Sequence, residues 1–314
     1  MKAMTLRVIQ DDGTELFVRR WAPPENPRAI LQLVHGMAEH ALRYEALAAA
    51  LAEKGIEVWA ADQRGHGKTA DASINDPSRG GLPGHCADRN GFFRVVSDVN
   101  RIFDEIKAQH GDKPLFLLGH SWGSFIAQAY IEQYGARLSG CALSGTRGPG
   151  GPKLAMGVPL LKLIAFLKGC RKPSKLAIAL VDGGFNRPFR PNRTPFDWLS
   201  RDEKAVDDYV RDPLCGMPCS SGFYRDMTRA LGEIHRDEAL SGIPKKLPVY
   251  IFCGSADPVG DMGVSPTALV EAYKKHGIEN LEYILYPDAR HELLNETNRE
   301  EVRANLIAWL EKHL

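Results

Sequence analysis

A serine between two glycines marks the segment FLLGHSWGSFIAQAYI, residues 116–131. The apolar run before it is typical of a buried strand, and the residues after it are typical of a helix. A sharp turn between the two would hold the Ser121 side chain up and exposed, with Gly119 and Gly123 relieving the crowding around it. The alternative is an ordinary turn in which Ser121 caps the helix.

A serine hydroxyl is a weak nucleophile unless a base lies beside it and a carboxylate orients that base. Asp257 follows the apolar run LPVYIFCG and His291 follows LEYILYP, so both would lie at the carboxyl ends of strands. The chain order serine, aspartate, histidine is that of α/β-hydrolases. The predicted catalytic residues are therefore Ser121, Asp257 and His291, with Asp261 and Asp288 as rival acids.

Acyl transfer also requires hydrogen-bond donors for a developing oxyanion. One candidate is the backbone N–H of Trp122, directly after the serine. The other is the backbone N–H of Met37, which follows His35 and Gly36 at the end of an early strand. The HG pair alone would indicate no more than the end of a strand.

The remaining histidines fit structural or solvated positions. His110 ends a predicted surface helix and His313 lies at the chain end, so both are expected in water. His120 adjoins the serine and is expected to point away from it. No cysteine and histidine residues have zinc-site spacing, so neither a metal nor a cofactor is predicted.

Strand-like and helix-like segments alternate along most of the chain. A hairpin is predicted around the Asp-Gly of DDGT. Buried strands are predicted within 29–36, 56–67, 114–119, 140–145, 247–254 and 281–287. Short connections between strands and helices indicate an α/β fold, in which helices wrap a mostly parallel central sheet. GTRGPGGP interrupts the alternation, which predicts a core over 1–148, a helical cap insertion over 149–240 and the rest of the core over 241–314.

The first part of the cap is basic and apolar. Six basic residues and no acidic one lie between Gly150 and Val181: Lys153, Lys162, Lys168, Arg171, Lys172 and Lys175. Helical spacing places Leu160, Ile164 and Leu167 on one face, and with Leu161 they are predicted to line an apolar acyl pocket. The basic rim suits peripheral contact with an anionic lipid surface, because the segment is too short to span a bilayer.

Composition excludes several other classes of protein. The formal net charge of +1 gives no electrostatic case for nucleic-acid binding. The N-terminal residues lack the apolar core of a signal peptide, and no apolar run approaches the ~20 residues of a membrane helix. Six scattered cysteines suggest reduced thiols, so a cytoplasmic protein is expected.

Four motifs together resemble the monoacylglycerol lipase and lysophospholipase group of α/β-hydrolases: HGMAEHALRYEALAAALAEKGIEVWAADQRGHGKT, GHSWGS, GSADPVGD and DARHELLNE. The resemblance implies a serine hydrolase with a helical cap, acting on lipid-like esters such as monoacylglycerols or lysophospholipids through an acyl-serine intermediate. By position it implies the roles given above to Ser121, Asp257, His291, Met37 and Trp122. It also implies a structural role for the RGHG loop. Family members often have methionine after the serine, so tryptophan is expected to narrow the pocket.

Other functions share these motifs. A serine iminopeptidase uses the same triad and needs cap carboxylates for a substrate amine, for which Glu203, Asp207 and Asp208 are candidates. An acyltransferase would differ only in its products. A non-catalytic binding protein of this fold usually lacks a triad member, and this chain lacks none. The expected partner is a small-molecule ester with an acyl chain, and the sequence leaves the oligomeric state open.

Overall fold

Eight strands form one sheet in the order β1-β2-β4-β3-β5-β6-β7-β8. The computed structural model describes residues 3–314, apart from the side chains of residues 152 and 153, so the predicted basic side chain of Lys153 lies outside the described residues. The strands are β1 Met4–Ile9, β2 Glu15–Trp21, β3 Ala29–Val34, β4 Ile56–Ala61, β5 Leu115–His120, β6 Gly140–Ser144, β7 Val249–Gly254 and β8 Leu281–Tyr286. The hairpin strands β1 and β2 are antiparallel, β2 pairs antiparallel with β4, and all other pairs are parallel. The predicted fold class is confirmed.

Helices cover both faces of this sheet. They are α1 Glu45–Glu53, α2 Gly91–His110, α3 Trp122–Tyr134, α4 Gly151–Lys168, α5 Lys175–Val181, α6 Glu203–Arg211, α7 Ser221–Glu233, α8 Asp237–Ser241, α9 Val264–Lys275 and α10 Arg299–Lys312. Adjacent side chains of β3 show the two layers. Ile30 packs in the cluster that includes α2, α3 and α9, whereas Leu31 packs in the cluster that includes α1 and α10. Burial on both faces explains why the central strands are continuous apolar runs.

Helices α4 to α8 lie between β6 and β7, where the sequence predicts the cap. Helix α4 packs mainly against α7, and α7 also packs against α2 of the core. No helix among residues 3–314 is both long and apolar enough to cross a bilayer. The proposed boundaries at 149 and 240 remain predictions, since α7 contacts cap and core helices alike and α8 packs on α3 of the core.

The RGHG loop is tied to the core by a buried arginine. Arg64 is fully buried and pairs with Asp98 at 2.6 Å and with Asp12 at 2.7 Å. At Gly67, which has φ +48°, a Cβ would lie 2.3 Å from a carboxylate oxygen of Asp62. This loop therefore ties the end of β4 to α2 and to the turn between β1 and β2, and none of its residues borders the cavities at Ser121.

Candidate active site

Ser121 lies on a strained turn between β5 and α3. Its φ of 53° and ψ of −123° are unusual for a residue with a side chain. The turn brings backbones very close: a Cβ at Gly119 would lie 2.3 Å from the carbonyl oxygen of Gly123, and one at Gly123 would lie 2.1 Å from that of Val34. The glycines are therefore required by close backbone approach, and the turn holds Ser121 at the wall of two cavities.

Asp257 and His291 meet across the loops that follow β7 and β8. His291 Nδ1 lies 2.9 Å from Asp257 Oδ2, and the other carboxylate oxygen accepts the backbone N–H of Val259 at 2.9 Å. Both side chains are buried. The rival acid Asp261 is exposed and Asp288 lies in an exposed turn, and neither bonds to His291. The geometry therefore places Asp257 in position to orient the His291 ring.

Electrostatics around His291 favours its protonated form. Burial alone would lower the pKa of His291, but the hydrogen-bonded Asp257 carboxylate outweighs burial and raises the pKa above its usual 6.5. The ring of His120 lies 4.9 Å from that of His291, centroid to centroid. Burial, and then the charge on His291, lowers the pKa of His120 to about 4. His120 also borders the smaller cavity with Ser121, and the expectation that its side chain points away from the serine stays a prediction.

The loop after β3 presents a free backbone donor to the same place. The backbone N–H groups of Met37 and Trp122 donate to no other group in the described part of the chain. Both residues border the cavity that contains Ser121. The next residue, Ala38, has a φ of 55°, so the loop turns sharply after Met37. The two N–H groups can therefore serve as oxyanion donors, which sequence reasoning assigns to them.

Glu39 fixes this loop, a role that sequence reasoning missed. Its carboxylate accepts the N–H of Gly36 at 2.5 Å, the hydroxyl of Tyr44 at 2.7 Å and the guanidinium of Arg43 at 2.6 Å. Burial alone would raise the pKa of Glu39, but Arg43 and the other donors lower it to about 2. Arg43 also forms a bidentate pair with Glu292, the residue after His291, at 2.6 and 2.7 Å. The HGMAEHALRY motif therefore encodes a buried ionic network around the donor loop.

Two cavities meet at Ser121. The larger, about 600 Å³, is mostly apolar and runs beneath α4. The smaller, about 300 Å³, is also mostly apolar, and Glu39, His120 and Tyr209 are among the residues that border it. Met37, Ser121, Asp182 and Trp198 border both cavities. The arrangement provides separate space on each side of the serine for the two parts of an ester.

The predicted acyl-pocket residues on α4 are only partly placed as expected. Leu160 and Leu161 line the larger cavity. Ile164 is buried in the core without lining that cavity, and Leu167 is 69% exposed, so these two predictions are wrong. Apolar residues occur all round α4, so their spacing cannot decide which face is buried. Packing against α7 selects the face that contains Leu161 and Ile164.

Trp122 borders the larger cavity, but its side chain is packed mostly in the core. Its indole ring is 2% exposed and stacks on His66, with ring centroids 5.3 Å apart, and packs against Phe223 at 5.0 Å. The expectation that Trp122 narrows the adjoining cavity stays a prediction.

Sequence reasoning missed two cap residues and one core residue at the cavities. The Trp198 ring lies 5.1 Å from the ring of His291, centroid to centroid, and shields it. The Asp182 carboxyl accepts a short hydrogen bond from Tyr224, and burial raises the pKa of Asp182 to about 6. Arg147 follows β6 and borders the larger cavity. A polar residue directly after a strand was the available indication for Arg147, whereas nothing in the cap sequence indicates Asp182 or Trp198.

Two groups of side chains in the described structure could hold a metal ion. Their ligand atoms lie within 4.8 Å of one another: His40, Asp212 and Cys215 in one, His85, Asp88 and Cys170 in the other. His40 is already bound to Asp212 at 2.8 Å, and Asp88 is paired with Arg171 at 2.7 Å. Neither group borders the cavities at Ser121.

The sheet topology and the strained serine turn define the class of protein, an α/β-hydrolase. Residues 25–298 match the family described as "Serine aminopeptidase, S33", and the chain belongs to that family. It is 26% identical to a monoacylglycerol lipase from Mycolicibacterium smegmatis, over 96% of this chain and 95% of that protein. It is 28% identical to the mouse monoglyceride lipase, over 81% of this chain and 73% of that protein.

Similarity in three dimensions agrees with these relationships. The crystal structure of a thermostable carboxyl esterase from Bacillus coagulans has a TM-score of 0.90 and 29% identity, covering 99% of both chains. The predicted resemblance to the monoacylglycerol lipase group is confirmed. The protein is a hydrolase related to lipases and esterases.

Proposed function

We propose that the protein hydrolyses carboxylic esters of lipid-like character through an acyl-Ser121 intermediate. The observation that supports this best is Ser121 at the junction of two cavities, with His291 lining the smaller one. His291 Nδ1 is hydrogen-bonded to Asp257, so Nε2 is the nitrogen that can exchange protons with the serine and the leaving group.

The reaction follows from these positions. Ser121 Oγ attacks the ester carbonyl carbon as His291 Nε2 takes the hydroxyl proton, and the carbonyl oxygen becomes an oxyanion. The N–H groups of Met37 and Trp122 donate to that oxyanion. The alcohol leaves with the proton from His291, and the acyl group stays on Ser121. Water then repeats the sequence, releasing the carboxylic acid and restoring the serine.

The cavities support a substrate with one part on each side of the reacting ester. We place the acyl chain in the larger cavity, beneath the apolar side chains of α4, and the alcohol in the smaller one, which His291 borders. Glu39, His120 and Tyr209 border the smaller cavity, so further hydroxyl groups of the alcohol would lie beside them. Relatives named as monoacylglycerol lipases support monoacylglycerols as the first substrates to test, with lysophospholipids next.

The proposal is tested by labelling and hydrolysis. A fluorophosphonate probe is expected to modify Ser121, and Ser121→Ala is expected to abolish labelling while the circular dichroism spectrum stays unchanged. Turnover of monoacylglycerol should fall by several orders of magnitude in Ser121→Ala and in His291→Ala. A folded Ser121→Ala protein with wild-type turnover would refute the mechanism.

The carboxylates that a peptidase with the same triad would need to bind a substrate amine do not lie at the site. Glu203 is exposed, Asp207 is paired with Arg193 at 2.5 Å and Asp208 with Lys204 at 2.6 Å. None of these three carboxylates borders either cavity. Prolyl anilides are therefore expected to be much poorer substrates than esters. Acyl transfer is tested separately, by analysing products formed in the presence of competing alcohols.

We also propose that the outer surface of α4 and α5 contacts anionic lipid. Phe166 is 83% exposed and Leu167 69% exposed, and further apolar side chains project nearby. Exposed lysines surround them: Lys162, Lys168, Lys172 and Lys175. Arg171 is paired with Asp88 and contributes less.

Sedimentation with vesicles tests this contact. Phosphatidylglycerol vesicles should carry the protein down at low salt and release it at high salt, because each basic residue near the surface contributes about 1 kcal/mol. Phe166→Ser should weaken sedimentation without changing hydrolysis of a water-soluble ester. Absence of binding at low salt would exclude the contact. We also propose a cytoplasmic location, supported by six cysteines that are all free in the described structure.

A further inference from the structure

The larger cavity is bordered by charged and polar side chains as well as apolar ones. Along α4 the wall consists of apolar side chains such as Leu154 and Leu161, but Arg147 and Asp261 border the same cavity. Thr228 and Ser265 border it as well. A guanidinium group would gain no favourable contact from a hydrocarbon chain, so its presence indicates a ligand with a polar group.

The Arg147 guanidinium has no carboxylate partner among the described side chains. It forms no ion pair within 4.0 Å, and its Nε atom is buried without a hydrogen-bond acceptor. The fully buried Arg64, by contrast, is paired with Asp98 and Asp12. An unpaired cation that is partly removed from water is costly, so the site is one that an anion would stabilise.

The buried Gln128 side chain holds the Arg147 backbone in place. Gln128 donates its amide N–H to the carbonyl oxygen of Arg147 at 3.0 Å and to the hydroxyl of Thr146 at 2.9 Å. The amide oxygen of Gln128 lies 2.9 Å from His235 Nε2. The guanidinium is therefore carried by a rigid loop at the carboxyl end of β6, not by a mobile surface segment.

The acidic groups nearby leave the guanidinium available. Burial lowers the pKa of Arg147, and the charges of Asp261 and Asp257 only partly oppose this effect. Asp257 is already bonded to His291, and Asp261 is exposed to solvent that screens its charge. Neither carboxylate contacts the guanidinium.

We propose that the larger cavity accepts acyl chains that end in a carboxylate, which Arg147 binds while the ester at the other end reacts with Ser121. The substrate class is then a half-ester of a dicarboxylic acid. This inference rests on the proposed ester hydrolysis and narrows its acyl group. A guanidinium binds a carboxylate through two parallel hydrogen bonds, which favours this anion over a neutral polar end.

Paired substrates test the inference. The p-nitrophenyl half-esters of adipate, suberate and sebacate are compared with p-nitrophenyl hexanoate, octanoate and decanoate. The measured quantity is the ratio of kcat/KM for half-ester over alkanoate of equal chain length. Arg147→Met should lower this ratio roughly ten- to a hundredfold, as expected when a hydrogen bond to a charged group is lost. Arg147→Lys should recover part of the ratio, since it keeps the charge without the planar fork.

Lys246→Met is the matched control. Lys246 is exposed before the amino end of β7, on the opposite edge of the sheet from the site, so its loss changes net charge alone. The ratio should be unchanged in this variant. An equal fall in Lys246→Met and Arg147→Met would overturn the inference, because it would show only an effect of overall charge.

The wild-type protein supplies a test that does not depend on folding of a variant. Free suberate should inhibit octanoate hydrolysis competitively, and the suberate half-ester should be hydrolysed at a rate comparable with octanoate. A half-ester more than about a hundredfold worse than octanoate would overturn the inference, since an apolar cavity rejects a carboxylate that finds no partner. Hydrolysis of the alkanoates without any use of half-esters leaves the ester-hydrolase proposal standing. Failure on every ester would refute that broader proposal itself.

Discussion

Replacing Asp257 by asparagine changes which nitrogen of His291 carries the proton, while the shape of the side chain is preserved. The side-chain oxygen of asparagine can still accept the N–H of Val259, which Asp257 Oδ1 accepts at 2.9 Å. Its NH2 group then faces His291 Nδ1, where the carboxylate now lies at 2.9 Å. An NH2 donor there forces the histidine proton onto Nε2, which is the nitrogen that must accept the serine proton. The variant therefore holds the imidazole in the wrong tautomer.

The size of the effect follows from burial. His291 is 2% exposed and Asp257 is fully buried, so water screens neither group. Loss of one partner from a buried charge pair costs about 3–5 kcal/mol. The positive charge on His291 develops as it takes the serine proton, so this cost falls on the transition state. Since 1.36 kcal/mol corresponds to tenfold in rate, kcat should fall about 10²- to 10⁴-fold.

The pH profile separates this explanation from general damage. The carboxylate is what raises the pKa of His291 above 6.5 against burial. His120, equally buried but bonded to a serine hydroxyl, has its pKa lowered to about 4. The acid limb of kcat/KM should therefore lie above pH 6.5 in the wild type and move to lower pH in Asp257→Asn.

The assay is hydrolysis of a water-soluble p-nitrophenyl ester between acid and mildly alkaline pH. Asp261→Asn is the control, because Asp261 does not bond to His291 and its loss should leave the acid limb in place. If the acid limb of Asp257→Asn coincides with that of the wild type, another group governs the rate. The assignment of His291 as the base would then be refuted.

Three further changes give predictions of different kinds. Gly145→Ala should lower both the melting temperature and the activity. Gly145 has φ +54°, and a Cβ there would lie 2.9 Å from the His291 carbonyl oxygen and 3.2 Å from the His291 ring. An unchanged melting temperature would contradict this prediction. Burial raises the pKa of Glu132 from 4.5 to about 9 in the folded protein. The free energy of unfolding therefore falls as pH rises between these two values, because the unfolded chain loses this proton more readily. At pH 7 the cost is on the order of 3 kcal/mol, so denaturant unfolding of Glu132→Gln should show greater stability at pH 8 than the wild type and less pH dependence. Leu161→Trp should shift the preferred ester to shorter acyl chains in a kcat/KM series. Leu167→Trp, on the exposed side of α4, should not change this preference. An equal response of the two variants would show that Leu161 does not line the acyl cavity.

Sequence patterns predicted the strands, their parallel arrangement and the glycines beside Ser121, because each of these depends on neighbouring residues in the chain. The continuous apolar strands and the short connections predicted a parallel sheet, and catalytic candidates were placed at strand ends because such ends meet at one edge. The structure accordingly brings Asp257 and His291, which are far apart in sequence, to hydrogen-bond distance. The close backbone approach at Gly119 and Gly123 likewise has a direct sequence signature.

Features that depend on packing between elements were not predictable in this way. The buried face of α4 depends on α7, since the helix is apolar all round, and hydrophobic spacing therefore misplaced Leu167. The ionic network of Glu39 needs Glu292, which lies in the loop after β8. The isolation of Arg147 can be recognised only when every carboxylate around it has been located.

The cap is coupled to the proposed oxyanion donors by direct contacts. Tyr209 donates its hydroxyl to the carbonyl oxygen of Ala38 at 2.9 Å, and the backbone N–H of Gly216 donates to the same oxygen at 2.9 Å. The Arg43 guanidinium lies over the Tyr209 ring, 4.8 Å from its centroid, while it binds the carboxylate beside His291. A substrate that displaces this part of the cap must therefore strain the loop that presents the Met37 N–H. The cap consequently acts on transition-state stabilisation as well as on binding, and cap substitutions at Tyr209 should change kcat as well as KM.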